Sequence, residues 1–354
     1  MSIDKLRKNI DSVDKQILGF FNKRALLAKK IGVIKAASGR EFYIPHREKK
    51  IISRLLKSNK GPLSNHSVEA IFREIFSACR SLESKIRVVY FGPEATFTHQ
   101  AAMKNFGSEA EFLSVKSIAD VFTEVDKNRA DYGVVPIENS TEGVINYTLD
   151  MFIDSDLVIC AELSMQIENC LLSTTTDLSK IKRVYSHPQP LAQCRNWLEE
   201  NLPGVPVEET ASTSEAAKRA AREKFTAAVA SKAAASLYGL EIVARGIEDS
   251  TENFTRFFVI GKSFTQRSGH DKTSIMFSIK DKVGALHDIL YSFKKHSINL
   301  TKIESRPTKK KAWEYIFFAD FLGHATDKKI KDALAQLGKS CVFVKILGSY
   351  PKAD

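Results

Sequence analysis

The sequence predicts three successive folds: an all-α domain, then an α/β domain, then a small α+β domain. Up to about residue 85 the apolar residues recur at helical spacing, and residues 3–37 contain no proline. From residue 86 onward, short β-rich runs alternate with helical patterns. After a polar, linker-like stretch at residues 263–272, the elements begin again in the order β-α-β. The 354 residues are enough for two or three such domains.

Composition and charge narrow the class of protein. Apolar runs fall short of the roughly 18 residues of a spanning helix, and the charged start is unlike a signal peptide, so we expect a soluble, cytoplasmic protein without a membrane partner. Five cysteines in no close pair predict reduced thiols rather than disulfides or a zinc site. The net charge of +11 lies in residues 1–85, which hold 19 basic and 8 acidic residues, against 34 of each in the remainder. A nucleic-acid binder or an enzyme that holds a small polyanion would suit that distribution.

The first predicted helix runs from Ile3 to about Ala37. It would span roughly 50 Å, longer than a three-helix unit of this size can cover, which favours dimerisation through this helix. A second helix is predicted after Pro45, and a third from about Ser67 to Glu83.

Charged residues recur on these helices near the apolar stripes. Arg24 and Lys35 are eleven residues apart, so they lie within about 20° of one line along the first helix and share a face. Arg7 lies roughly 100° from that line, so we expect a partner subunit to present it to the same pocket. The second and third helices add further polar groups: Arg47, Glu48, Cys79 and Glu83.

The helical region resembles the all-helical chorismate mutase family across nearly all of residues 1–85. The motifs that carry the resemblance are Leu6-Arg7, residues 23–28, residues 31–35, residues 45–49 and residues 71–75. The resemblance implies a site lined by Arg7, Arg24, Lys35, Arg47, Glu48, Cys79 and Glu83, with Arg7 crossing the dimer. Relatives often have an aspartate where Ile44 stands, a serine at Cys79 and a glutamine at Glu83.

The residue types suit the implied rearrangement, which is unimolecular and needs no cofactor, metal or nucleophile. Guanidinium groups can hold two carboxylates, while Lys35 and a donor at position 83 would stabilise charge on the breaking ether oxygen. Because Glu83 can donate a hydrogen bond only when it is protonated, we expect mutase activity to decline as pH rises. Ile44 removes a side-chain N-cap from the second helix.

The α/β region resembles prephenate dehydratase over residues 86–262. A strand at 88–91 runs into the turn at 92–98, which can aim backbone N–H groups at an anion. Four further segments, at 131–141, 185–190, 213–217 and 253–257, complete the motif, with Ala95 standing where relatives often carry glycine.

That resemblance assigns the catalytic part to Thr255, whose hydroxyl would protonate or hydrogen-bond the leaving hydroxyl of prephenate. Arg256 lies beside it in sequence. The other implied substrate contacts are Glu138, Asn139, Ser140, Ser186, Gln193 and Ser214. Residues 212–215 also have the pattern of a capping box that opens a helix, a structural role compatible with substrate contact.

The C-terminal region resembles the ACT regulatory domain over residues 272–351, on the motifs at 284–287, 298–301 and 303–307. The resemblance implies a ferredoxin-like α+β fold and phenylalanine as the effector, bound between paired modules. Glycine at 284 would permit close approach of the backbone to an amino acid. The implied effector contacts are Gly284, Ala285, Leu286, Asn299, Glu304, Ser305 and Arg306.

Together these patterns predict a bifunctional enzyme of phenylalanine biosynthesis, inhibited by phenylalanine, with domains at 1–85, 86–263 and 272–354. Its substrates would be chorismate and prephenate, and it would form a homodimer or a higher homo-oligomer. A second interpretation is a two-lobed small-molecule receptor whose basic helices contact nucleic acid, although these helices show no recognition-helix arrangement. A third is a dehydratase whose helical domain serves only dimerisation, which the residues at 44, 79 and 83 favour.

Overall fold

The computed structural model of the chain describes residues 2–250, 252–279, 282–307 and 315–353. Two compact units are present: Met1–Arg87 with Met103–Glu111, and Val88–Ala102 with Phe112–Asp354. The first is helical and the second contains three sheets, so the predicted order of all-α, α/β and α+β folds is confirmed. No helix in the described part of the chain is long and apolar enough to cross a membrane.

Three helices form most of the first unit: α1 (Ile3–Ala37), α2 (Pro45–Ser58) and α3 (Asn65–Ser81). The predicted long first helix is confirmed, and both α1 and α2 pack on α3. Ser2 and Ser64 cap α1 and α3 through their side chains, whereas Ile44 offers α2 no side-chain cap, as its sequence predicts.

Most of α1 is exposed in a single copy of the chain. Its buried residues are Ala28 and Gly32, while thirteen large apolar side chains along it are exposed, Ile3 and Phe20 by more than 65%. Gly32 permits the tightest packing, because a Cβ at this position would lie 2.9 Å from the Cα of Glu83. The close approach of these two segments therefore depends on glycine.

The second unit begins with an α/β lobe built on a mixed sheet. The strand order is β2-β1-β3-β11-β5, with β4 added on β3. Its elements are β1 (Arg87–Phe91), α4 (Phe97–Phe106), β2 (Glu111–Val115), α5 (Ile118–Asp126), β3 (Tyr132–Asn139), β4 (Gly143–Val144), α6 (Asn146–Asp154), β5 (Val158–Gln166) and β11 (Phe254–Gly261). Residue 87 and residues 103–111 of this stretch belong to the first unit.

A second lobe is inserted between β5 and β11. Its sheet has the order β10-β6-β9-β7-β8. Its elements are β6 (Cys170–Ser173), β7 (Arg183–Ser186), α7 (Pro188–Gln193), α8 (Arg195–Asn201), β8 (Val207–Glu209), α9 (Thr213–Ala220), β9 (Thr226–Ala230), α10 (Lys232–Tyr238) and β10 (Glu241–Arg245). The two connecting segments run side by side, because Ile167 donates its N–H to the carbonyl of Asn253 at 2.8 Å.

The C-terminal module has an antiparallel sheet of order β13-β14-β12-β15. Its elements, β12 (Asp271–Ile279), α11 (Ala285–Lys295), β13 (Leu300–Pro307), β14 (Tyr315–Leu322), α12 (Lys328–Ser340) and β15 (Cys341–Pro351), follow the β-α-β-β-α-β order of a ferredoxin-like fold. One face of the sheet packs on α11 and α12. The other face shares a hydrophobic core with the first lobe, to which Met276, Phe318 and Tyr350 contribute.

The predicted linker at 263–272 is more ordered than its polar sequence indicates. Thr265 is buried and donates its hydroxyl to the carbonyl of Cys160 at 2.8 Å, and Asp271 is already part of β12. Further along the module, a Cβ at Gly348 would lie 2.3 Å from the carbonyl oxygen of Ile159. The C-terminal sheet and β5 are thus in direct backbone contact, so the stretch between them is packed rather than extended.

Candidate active sites

A cavity of about 630 Å³ lies among the three helices of the first unit. Six of the seven residues predicted for this site line it: Arg24, Lys35, Arg47, Glu48, Cys79 and Glu83. Most of the other lining residues are apolar, from Leu27 and Ile31 on α1 to Phe72 and Phe76 on α3. The cavity therefore combines concentrated positive charge with a low-dielectric wall, a combination suited to a small anion that carries an apolar ring.

Lys35 and Glu83 meet directly in this cavity. The Nζ of Lys35 lies 2.7 Å from Oε2 of Glu83, and it also donates to the carbonyl of Phe42 at 3.2 Å. The two side chains are 12% and 11% exposed. Gly32, one turn before Lys35, is the residue that allows α1 to approach Glu83 this closely. Glu83 is thus a hydrogen-bond acceptor here.

Arg80 is a buried cation of this cavity that the sequence interpretation missed. It pairs with the Glu48 carboxylate, donates to the carbonyl of Phe106, and lies over the rings of Tyr43 and Phe106. Burial raises the pKa of Glu48, and the charge of Arg80 opposes that rise. The position of Arg80, four residues after Phe76 on an apolar stripe, is the sequence signal that could have identified it.

Arg40 and Arg54 also line the cavity and were not predicted. They bring its basic residues to six, against the two carboxylates of Glu48 and Glu83. Arg40 follows the end of α1, and Arg54 lies in the third turn of α2. Neither belongs to a motif quoted for the site, so only the folded arrangement identifies them.

Arg7 is the predicted residue that the structure does not bring to the cavity. Its side chain is exposed, and its guanidinium lies 3.8 Å from the carboxylate of Asp4. It precedes Arg24 by seventeen residues, which is about 25 Å along the helix axis. Within one copy of the chain Arg7 therefore lies on the exposed N-terminal part of α1, away from the cavity.

A second group of predicted residues meets where β3 ends and β11 begins. Thr255 is the antiparallel neighbour of Asn139, and the Nδ2 of Asn139 donates to Oγ1 of Thr255 at 2.9 Å. Both side chains are buried. Asn139 Oδ1 accepts from the backbone N–H groups of Thr141 and Glu142, each at 3.1 Å, which fixes the orientation of the amide.

Ser140 and Gln193 belong to the same neighbourhood. Ser140 Oγ donates to the carbonyl of Glu252 and accepts from the N–H of Phe254, so it joins the two strand ends. Gln193, at the end of α7 in the second lobe, contacts Thr141 and Asn253. The fold therefore gathers Asn139, Ser140, Gln193 and Thr255 at the junction of the lobes.

Ser186 and Ser214 lie deeper in the second lobe. Ser186 ends β7 and donates to the carbonyl of Val229 at 2.6 Å, whereas Ser214 lies 2.8 Å from the hydroxyl of Tyr238. Both side chains are fully buried. In this arrangement each serine is bonded within its own lobe rather than to the group around Thr255.

Glu138 and Arg256 lie on the opposite face of the sheet from Asn139 and Thr255. Successive strand residues point to opposite faces, and Glu138 pairs with Arg256 just as Asn139 pairs with Thr255. The guanidinium of Arg256 contacts Glu162 at 2.8 Å and Asp320 at 2.6 Å, and Glu138 lies 2.8 Å from Nζ of Lys302. Both predicted substrate contacts thus face the C-terminal module.

The turn after β1 explains why glycine would be favoured at position 95. Ala95 has a φ of 62°, in the left-handed region that is strained for residues with a side chain. Its N–H donates to Nδ1 of His99 at 3.1 Å, and its carbonyl accepts from Ser231 of the second lobe at 2.8 Å. Burial lowers the pKa of His99, which favours the neutral ring that can accept this bond. The turn therefore joins the lobes, and its Ala95 N–H is already occupied.

The predicted effector residues occupy two parts of the C-terminal module. Gly284, with a φ of 77°, caps α11, which begins with Ala285 and Leu286. Asn299 precedes β13, and Glu304 to Arg306 belong to this edge strand. Arg306 is engaged by a bidentate ion pair with Asp150 of α6, at distances of 3.1–3.3 Å. This side chain therefore connects the module to the first lobe.

Comparison with protein families divides the chain in the same order as its folds. Models of chorismate mutase type II, prephenate dehydratase and the ACT domain match residues 6–84, 88–265 and 273–339, respectively. No group of three or more potential metal ligands is present in the part of the chain that the structure describes.

Individual relatives match nearly the full chain. A bifunctional chorismate mutase/prephenate dehydratase of Aquifex aeolicus is 51% identical over 355 residues, covering 99% of this chain and 98% of that protein. A protein of the same name from Stutzerimonas stutzeri is 45% identical, covering 98% and 97%. Among solved structures, prephenate dehydratase from Arthrobacter aurescens in complex with L-Phe is 34% identical with a TM-score of 0.70, covering 75% of this chain and 90% of that one.

Proposed function

The chain belongs to the bifunctional chorismate mutase/prephenate dehydratase family with a C-terminal ACT domain, and from this premise we propose that it converts chorismate to prephenate and prephenate to phenylpyruvate. The first step is assigned to the helical cavity and the second to the junction of the lobes at Thr255. We retain 1–85, 86–263 and 272–354 as the three functional regions. The observation that carries the proposal is that the first two regions each gather the side chains that their reaction needs.

In the helical cavity, binding and electrostatics suffice for a rearrangement within one molecule. Arg24 and Arg47 are the proposed anchors for the two carboxylates of chorismate, because guanidinium groups bind carboxylates through paired hydrogen bonds. Lys35 would face the ether oxygen as its bond to carbon breaks. Its charge acts in a largely apolar surrounding, where it stabilises developing negative charge more strongly than in water.

At Thr255 the reaction is a loss of carbon dioxide and water. The electron pair of the breaking carbon–carbon bond enters the ring as it becomes aromatic, and the carbon–oxygen bond breaks on the opposite side of the ring. The departing hydroxide needs a proton donor. Since Asn139 donates to Oγ1 of Thr255, the hydroxyl proton of Thr255 remains available for the leaving group.

Purified protein supplied with chorismate alone should form phenylpyruvate without added cofactor or metal. Thr255→Val should lower the turnover of prephenate by about 10²-fold or more, because the donor is lost, while Thr255→Ser retains a hydroxyl and most of the activity. Consumption of chorismate should be unchanged in both variants, which controls for folding. Product from prephenate but not from chorismate would instead support a helical unit that serves only dimerisation.

The mutase rate should decline as pH rises. Glu83 accepts a hydrogen bond from Lys35, and it can donate one to the substrate only while it is protonated. Glu83→Gln supplies a neutral amide donor at every pH and should therefore flatten the profile. The measurement is kcat for chorismate across the pH range, and a flat wild-type profile would refute this role for Glu83.

Glu48 is the second carboxyl that could shape this profile. Burial raises the pKa of Glu48, so this carboxyl loses its proton above the usual range of a carboxyl group. Glu48→Gln separates the two contributions. If the decline disappears in Glu48→Gln and persists in Glu83→Gln, the titrating group is Glu48.

We further propose that the chain is a homodimer joined along α1. Thirteen large apolar side chains of this helix are exposed and could be covered by a second copy, and Arg7 is an exposed residue near its N-terminus. A second copy packed along the same helix would bring its own Arg7 towards the cavity. A cytoplasmic location is also proposed, consistent with five buried cysteine thiols.

Mixed dimers provide a direct test of the crossing arginine. Arg7→Ala and Lys35→Ala should each lose mutase activity, because each leaves both sites of the dimer incomplete. Unfolding and refolding them together should restore about a quarter of the wild-type rate, since half of the dimers are mixed and each has one intact site. If the mutase rate of the refolded mixture equals that of the separate variants, Arg7 does not contribute to the cavity of the other copy.

Phenylalanine is the proposed effector of the C-terminal module. Two contacts would carry its effect to the dehydratase lobe: Arg306 of β13 pairs with Asp150, and Lys302 of the same strand pairs with Glu138. A ligand that moves β13 therefore changes contacts at both α6 and β3.

Millimolar phenylalanine should lower the rate of phenylpyruvate formation from prephenate. Asp150→Asn should weaken that response, because the bidentate ion pair with Arg306 is lost while the shape of the side chain is kept. The measurement is the rate of phenylpyruvate formation from prephenate, with and without phenylalanine, in the wild-type protein and in Asp150→Asn. Equal wild-type rates under the two conditions would refute feedback inhibition.

A further inference from the structure

Four side chains at the junction of the lobes form a closed ring of hydrogen bonds. Thr141 Oγ1 donates to Asn139 Oδ1 at 2.6 Å, and Gln193 Nε2 donates to Thr141 Oγ1 at 3.3 Å. Asn253 Nδ2 donates to Gln193 Oε1 at 3.0 Å, and Asn139 Nδ2 donates to Asn253 Oδ1 at 2.8 Å. Each member donates once and accepts once within the ring.

The direction of the ring is fixed by backbone groups. Asn139 Oδ1 accepts from two backbone N–H groups, which cannot act as acceptors, so this atom must be the oxygen. Thr141 then uses its one hydroxyl proton on Asn139 and can only accept from Gln193. Gln193 consequently presents its oxygen to Asn253, which presents its own oxygen back to Asn139.

The second N–H of the Asn139 amide leaves the ring and reaches Thr255. Nδ2 of Asn139 has two protons: one is directed at Asn253 and the other at Oγ1 of Thr255 at 2.9 Å, while the carbonyl of Phe254 is a longer third acceptor at 3.3 Å. If the Asn139 amide turned over, its oxygen would face Thr255 and would accept the hydroxyl proton. The orientation of the Asn139 amide, which the ring holds together with the two backbone N–H groups, therefore determines whether Thr255 is a donor to the substrate or to the protein.

The members come from three separate parts of the second unit. Asn139 and Thr141 lie at the end of β3 in the first lobe, Gln193 ends α7 in the second lobe, and Asn253 lies on the segment that returns between them. Asn253 is only 1% exposed, and its carbonyl accepts from Ile167 of the other connecting segment. Closure of the ring thus requires the lobes to be in this arrangement.

We infer that Thr141 and Asn253 are positioning residues of the dehydratase step. They act through Asn139 and Gln193 to keep the hydroxyl proton of Thr255 directed at the leaving group. The inference rests on the proposed dehydratase activity and adds two residues to it. It also means that the donor is set correctly only when both lobes contribute to the ring.

Thr141 permits a test with little risk to folding, because its side chain is exposed. Thr141→Val removes the hydroxyl at nearly constant volume and should lower kcat for prephenate by about 10- to 100-fold, part of what a general acid contributes. KM should change less, because the substrate contacts remain. Thr141→Ser should restore most of kcat.

Two internal controls accompany this pair. Thr174→Val makes the same chemical change at an exposed threonine outside the ring, and it should leave both activities unchanged. Chorismate consumption, measured in the same preparations, should also be constant. A kcat for prephenate in Thr141→Val equal to that of Thr174→Val would overturn the inference.

Asn253→Asp gives a readout that a merely structural role would not move. While the new carboxyl is protonated, it can donate to Gln193 Oε1 and accept from Asn139, so the ring is reproduced. Once ionised it can only accept, and the bond to Gln193 is lost. The ratio of variant to wild-type kcat for prephenate should therefore rise as pH falls, after subtraction of the spontaneous reaction.

The mutase rate of Asn253→Asp, compared with wild type at each pH, controls for loss of folded protein. A dehydratase ratio that does not change with pH would overturn the role of Asn253. Failure of the proposed function would be a different result, because wild-type protein itself would then form no phenylpyruvate from prephenate above the spontaneous rate.

Discussion

The antiparallel pairing of β3 with β11 is the constraint on which the second unit depends. It sets Asn139 opposite Thr255 and Glu138 opposite Arg256. Side chains alternate across a strand, so the two pairs point to opposite faces of the sheet. The uncharged pair, Asn139 and Thr255, lies at the lobe junction, and the charged pair, Glu138 and Arg256, faces the C-terminal module. A slip of one residue in the register would exchange the two faces. The register therefore determines both the proposed chemistry and its proposed control.

The charged face is a buried network shared by the first lobe and the C-terminal module. Arg256 contacts Glu162 and Asp320, and Lys272 also lies 2.8 Å from Glu162. Burial, together with Asp320 and Glu162, raises the pKa of Tyr350 well above its usual range, so its hydroxyl stays neutral beside them. Removing one partner of such a network typically costs about 3–5 kcal/mol, because the remaining charge is left uncompensated.

This placement gives the C-terminal module a short physical connection to β11, the strand of Thr255. Arg256 directly follows Thr255 in β11, and its guanidinium is bound to Asp320 of β14. Packed sheets move as bodies rather than deforming continuously, so a displacement of the module would act on the backbone of β11. The two faces of one strand thus carry the proposed donor and its connection to the C-terminal sheet.

In the first unit, the limiting constraint is the close approach of α1 to Glu83 at Gly32. It brings Lys35 into contact with Glu83 in the cavity. This ion pair reduces the mutual repulsion of the six basic side chains that line the cavity. Arg80 and Glu48 form a second internal pair, of which the Arg80 side chain is only 6% exposed. Under the proposed function the remaining cations bind the polyanionic substrate, in agreement with the charge excess of residues 1–85.

The sequence by itself determined the order of folds, the limits of the long first helix, and the motifs that identify the family. These depend on local periodicity and on residue spacing, which act over a few turns or one strand. Helical phase likewise placed Arg24 and Lys35 together and set Arg7 apart. The glycine that relatives often carry at position 95 indicated a left-handed backbone conformation there, and Ala95 has a φ of 62°.

Tertiary structure alone decided which face of a strand each motif residue occupies, and so separated Glu138 and Arg256 from Thr255. Strand alternation is visible in the sequence, but which face receives the substrate depends on where the second lobe and the C-terminal module pack. The ring through Thr141 and Asn253, the pairing of Arg80 with Glu48, and the packed stretch at 263–272 have the same origin. Each joins residues far apart in the chain, whose proximity is produced only by burial of the shared cores.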